Sequence, residues 1–242
     1  AVSLTSLHFS SHTGTRGLHL RGVIATLSSS TFENCAISNG ESGGALYVEE
    51  SSILTATSCT FRNNSASSSG GAIAVRTSST FITTNMICED NTATSGGCLD
   101  AVGVKRIVIA SSRIQNNDAA QDGGGIRVMV SPLNISASSV ISDNRAGREG
   151  GGIHLLGDVE TSVSDTVFSA NSAHGADADG GAFRAISNFP TFTSCTFTNN
   201  LAQRAGGMGA VDFNYAATFD RCTFTGNSPA GTDNQGVPCR AG

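Results

Sequence analysis

The chain has 242 residues, a formal charge of −5 and only 14% charged residues, with its basic residues scattered singly. That distribution excludes a nucleic-acid surface, which gathers Lys and Arg to face phosphates, and no run of about 18 apolar residues exists to span a membrane. The 29 glycines suit a tightly turning β-rich chain better than a helical bundle, and seven cysteines among many Ser, Thr and Asn point to an oxidising compartment.

The sequence opens without an initiator Met, a basic n-region or an apolar h-region, so it reads as a processed form or a piece of a longer protein. Residues 1–30 are expected to be irregular or to form a partial first rung, with Phe9 in a degraded strand and Leu18-His19-Leu20 as a second strand. From Thr31 a unit repeats. Its apolar landmark falls at Phe32, Phe61, Cys88, Ile114, Ile141, Phe168, Phe197 and Phe224. The second glycine of a pair falls at Gly44, Gly71, Gly97, Gly124, Gly151, Gly181 and Gly207. Both series step by 26 to 30 residues, a period that marks a solenoid, propeller or array.

Within one unit three short strands are predicted. In the first, Cys59 and Phe61 share a face and Thr60 and Arg62 take the other, because side chains alternate along a strand. The chain turns after Asn64. The second strand follows the glycine pair, with Ile73 and Val75 alternating with Ala74, and a polar linker leads to a third such as Thr80 to Thr83 or Ile107 to Ala110. Helical spacing is absent. Three strands in roughly 27 residues make one turn of a parallel β-helix, whereas a propeller blade needs four strands and about 40 to 50 residues. The expected fold is therefore all-β, one solenoid domain over residues 1–242 with about eight to nine rungs. Regular rungs occupy 31–227 and an irregular tail 228–242. No amphipathic capping helix is expected at either end, which favours a longer chain or end-to-end contact with other subunits.

Stacked rungs put equivalent residues about 4.8 Å apart, so columns of one residue type should be useful. Asn64, Asn91, Asn117, Asn144, Asn171, Asn200 and Asn227 form such a column, whose amides can hydrogen-bond along the stack. Ala66, Ala93, Ala119, Ala146, Ala173 and Ala202 form a second, where only a small side chain fits the turn. The glycine pairs form a third, requiring positive φ or very close packing. Leu46, Ile73, Leu99, Ile126, Ile153 and Phe183 form the apolar column that follows. Cys35 and Ile37 replace the Asn and the Ala of the first unit, so the ladder is expected to begin one rung later.

The pairing of Phe61 to Asn64 with Gly70 to Ile73 resembles the FxxN and GGA[ILV] repeats of the chlamydial polymorphic outer membrane proteins. The resemblance covers about Thr31 to Asn227, with Cys88 or Ile in place of Phe in some rungs, Cys98 in place of the Ala, and Gly125 and Gly152 likewise. It implies a right-handed, single-stranded parallel β-helix of the autotransporter-passenger type. It also implies a surface-displayed adhesin in which these two motifs serve adhesion.

Candidate chemistry is sparse. A β-helix hydrolase of acidic polysaccharides needs two or three carboxylates converging on one groove, and a lyase needs Ca²⁺ carboxylates with an Arg or Lys base. The sequence offers no adjacent Asp-Asp, no NTD or RIK-like triplet, and His174-Gly175 is an isolated match, so no catalytic residue and no organic cofactor are expected. Asp122, Glu149 and Asp179 each precede a glycine pair and should stack in three consecutive rungs, with Asp177 nearby. They read either as a solvated acidic stripe beside Arg148 or as a Ca²⁺ site. Cys195 and Cys222 lie one rung apart, within disulfide range, and Cys88 and Cys98 flank one turn; buried free thiols are the alternative for each pair. Sequons occur at Asn63 and Asn134. The Thr residues flanking Phe197 and Phe224 are explained by β-propensity on an exposed face.

The function expected is that of a non-catalytic extracellular or cell-surface β-solenoid, a glycoprotein acting as an adhesive or structural module. Its partners would be a protein or glycan on a cell surface, or further copies of itself. Alternatives are a subunit of an extracellular filament, appendage or coat, and a polysaccharide lyase or glycoside hydrolase.

Overall fold

The computed structural model describes residues 1–212 and 215–229. Alternation decides the strands: in Ile53–Thr57, Leu54 and Ala56 are buried while Ile53, Thr55 and Thr57 face solvent. The chain winds through four parallel sheets in turn. Thr80–Thr84 lies in a nine-stranded sheet 1, Ile87–Glu89 in a nine-stranded sheet 2, Thr92–Ala93 in an eight-stranded sheet 3, and Leu99–Val102 in an eight-stranded sheet 4. Arg106–Ala110 then returns to sheet 1 and pairs in register with Thr80–Thr84. Nine strands at this spacing make a rod about 38 Å long. No helix among the described residues is long and apolar enough to cross a membrane.

Sheet 3 corrects the expected three strands per rung to four. Its strands hold two residues each, such as Ser65–Ala66, immediately after the ladder asparagine. A two-residue strand shows no alternation, yet Ser65 still pairs with Ala36 below and Thr92 above. The first thirty residues are also more regular than expected. Val2–Thr5 pairs with Ile24–Ser28, Phe9 lies opposite Phe32, and Leu18–Arg21 pairs with Leu46–Glu49. At the other end Ser228–Pro229 pairs with Leu201–Ala202, so the stack continues past Asn227. The rest of the expected tail, from residue 230 and including Cys239, lies outside the described residues.

Inward side chains fill the bore. Phe32 stacks on Phe9 and Phe61 with ring centroids 4.8 and 5.1 Å apart, and Phe197 on Phe168 and Phe224 at 4.8 and 5.4 Å. The asparagine column is a continuous hydrogen-bonded ladder. Each Nδ2 donates to the Oδ1 of the next rung, from Asn64 to Asn227, over 2.8 to 3.0 Å. Each also donates back to a carbonyl of the preceding rung, as Asn64 does to Phe32, and each Oδ1 also takes the backbone N–H below it. Cys35 cannot extend the side-chain ladder, but its backbone N–H donates to Asn64 Oδ1. Every polar atom of a buried amide is thereby satisfied without water.

The glycine pair splits two requirements between its members. Gly70 has φ +63°, where an L side chain is strained, and a Cβ on Gly71 would lie 2.3 Å from the Gly97 carbonyl oxygen. The first glycine bends the chain; the second lets successive rungs touch. That bend brings the segment before the pair across the outer face of sheet 4. Ala74, Asp100 and His154 point outward there and are nevertheless buried.

Candidate functional site

Register on sheet 4 places Ala74, Asp100, Arg127, His154 and Arg184 one above another. The residues before the glycine pairs fold over this column, so Asp122, Glu149 and Asp179 face it from the turn. Charges brought this close in partly buried surroundings must pair. Asp100, with no exposed surface, takes Arg127 Nε at 2.5 Å and the Arg76 guanidinium from the rung below. Arg127 also donates to Ser69 Oγ at 3.1 Å.

The three acidic residues read as one candidate Ca²⁺ site do not converge. Asp122 Oδ1 lies 3.6 Å from Arg148 Nε, Glu149 Oε2 lies 3.5 Å from His154 Nε2 and 3.7 Å from Arg184 Nε, and Asp179 is gripped by Arg204. Each carboxylate thus has its own cation, and among the described residues no three metal-ligating side chains come together. The His154 imidazole, aided by Arg184 and Arg148, holds the Glu149 carboxyl below the usual carboxylate range. Asp179, with Asp177 behind it, raises the pKa of Arg204.

This strip contains polar atoms without hydrogen-bond partners: Asp122 Oδ1, both ring nitrogens of His154, and Arg184 Nε. Arg184 is otherwise engaged through Nη2, which donates to Asp212 Oδ1 at 2.5 Å. Where the turn before Gly180 is enlarged, an open recess of about 370 Å³ adjoins the strip, lined by Arg148, Glu149, Asp177 and Arg204 and by backbone from Gly147 to Ala178. The acidic column could be read from the sequence by its place before the glycines. Its partners on sheet 4 were missed, because Ala, Asp, Arg, His and Arg in succession show no repeat of type; counting the register from Ala74 would have found them.

The cysteines divide. Cys88 and Cys98 form a disulfide with Cα atoms 6.0 Å apart. Cys195 and Cys222 are not joined and both are free, as are Cys35 and Cys59. In-register parallel strands point equivalent side chains the same way, so the two sulfurs lie side by side, each engaged with backbone. Cys222 Sγ accepts from Cys195 N–H at 3.4 Å, and Cys195 Sγ donates to Val163 O at 3.5 Å. They occupy a corner column where Ser112 and Ser139 do the same with hydroxyls. Burial pushes the Cys195 thiol up to about 11. Asn63 is exposed on a turn, whereas Asn134 lies half-buried within Leu133–Ser136 on sheet 1.

A family model described as a right handed beta helix region matches residues 21–183 and 103–237. Searches of curated proteins and of solved structures returned no significant match.

Proposed function

Because the chain belongs to the right-handed β-helix family, we propose that it is an extracellular, non-catalytic solenoid displayed at a cell surface as an adhesive or structural module. The observation that carries this reading is the unbroken asparagine ladder, which commits the interior of successive rungs to stacking and leaves the side walls for contact. The Cys88–Cys98 disulfide supports an oxidising location. The FxxN and GGA[ILV] pairing keeps its resemblance to the chlamydial surface adhesins as further support, with a surface protein or glycan as partner. The test is retention of the purified chain, coupled to fluorescent beads, on cell monolayers. Saturable binding competed by unlabelled protein is expected; binding no greater than that of beads carrying an unrelated β-solenoid would overturn the reading.

A polysaccharide-cleaving reading is favoured by one feature, the buried His154 beside Glu149 and between two arginines in register. It requires release of reducing ends or unsaturated sugars from acidic polysaccharides, lost in the H154A variant.

A further inference from the structure

We propose that the recess at the enlarged turn binds a small dipolar ligand carrying both a carboxylate and an ammonium group, such as an amino acid or short peptide. The glycine pairs step by 26 or 27 residues except between Gly151 and Gly181, where the step is 30. Extra residues in one repeat of a stack form a loop on one face, often the binding face. Here they supply Gly175, Ala176, Asp177 and Ala178 to the recess wall.

Two of the four charged lining groups are already committed. Glu149 serves His154 and Arg184, and Arg204 grips Asp179 through Nε and Nη2. The other two are held more loosely. The Arg148 side chain is 61% exposed and its nearest carboxylate, Asp122 at 3.6 Å, makes no hydrogen bond to it. Asp177 is exposed and forms no ion pair among the described residues, although its charge is felt at Arg204. An exposed cation and an exposed anion thus line one recess, and the ligand that complements them carries the opposite pair.

A second observation lies beneath. Asp122, whose side chain is 13% exposed, directs Oδ1 at the Arg148 guanidinium without a hydrogen bond, and His154, buried with its Nδ1 unpartnered, lies 3.5 Å behind Glu149. Unsatisfied buried polar atoms are costly and call for an explanation. Arg148 would take the carboxylate in a charge-assisted pair, and Asp177 the ammonium. A recess of about 370 Å³ accommodates a ligand of this size. The inference does not depend on surface display, since the recess would bind the same compound whether or not the chain adheres to cells.

The experiment is a backbone amide NMR titration of the full chain with glycylglycine, with acetate, ethylamine and N-acetylglycinamide in parallel. Glycylglycine at millimolar concentration should move the resonances of Gly147 to Glu149 and Gly175 to Ala178, while the singly charged and neutral compounds leave them in place. R148A and D177N, both at exposed positions, should each weaken binding by about tenfold or more with the rest of the spectrum unchanged. No movement with glycylglycine, equal movement with acetate or ethylamine alone, or unaltered affinity in both variants would overturn the proposal.

Discussion

A single ladder asparagine holds more of this molecule than its size suggests. Asn117 Oδ1 accepts from both the backbone N–H and Nδ2 of Asn91, and its own Nδ2 donates to Asn144, Cys88 and Gln115. The N117A variant would orphan a buried N–H and break the column, so a loss of about 3 kcal/mol is expected in urea denaturation. Val130 shows the opposite case. It holds φ at 47° with 59% of its surface exposed, a conformation that costs a β-branched residue about 1–2 kcal/mol. V130G should therefore raise the urea midpoint, by about 1 kcal/mol of stability. The asparagines were legible in the sequence because one residue type repeats at one position. The left-handed turn position just before them was not, because Asn63, Asp90, Asn116, Asp143, Ala170, Asn199 and Gly226 all occupy it with positive φ. Several side chains tolerate that conformation, so the column has a shared geometry without a shared letter.

Strands and turns show the same division. The strands of sheets 1, 2 and 4 were readable from alternation, and the glycine turns from their fixed step; the two-residue strands of sheet 3 were hidden inside a turn. The charged strip was half legible. Its acids precede the glycines in plain view, and Arg148 and Arg204 lie in the same turns, whereas His154 and Arg184, which hold Glu149, belong to sheet 4 and meet it only through the bend at the first glycine. The strip also predicts how stability responds to acid. The Glu149 carboxyl is depressed in the folded chain, chiefly by His154. Its contribution is therefore complete above the unfolded carboxylate value of about 4.3 and is lost as pH falls through the lower folded value. Urea midpoints measured from pH 7 down to pH 3 should fall less steeply for E149Q than for the parent chain. Equal slopes would mean that Glu149 is not held by its neighbours.

At the scale of the whole molecule, contacts join each rung to the one above and the one below, so the rod behaves as a one-dimensional array whose stability is the sum of rung and interface contributions. Disruption at one level, as at Asn117, should be felt by the adjacent rungs and little beyond them, which hydrogen exchange across the stack would show as a local band of lost protection. The ladder also gives the rod a direction. In every amide-to-amide bond from Asn64 to Asn200 the donor lies on the N-terminal side and the acceptor one rung further on. Backbone dipoles in a sheet largely cancel, but these aligned amides add, at about 3.5 D apiece if each resembles a peptide unit. The ladder is consequently polar along the axis of the rod. The two ends of the stack are therefore unlike, so copies meeting end to end could match only head to tail.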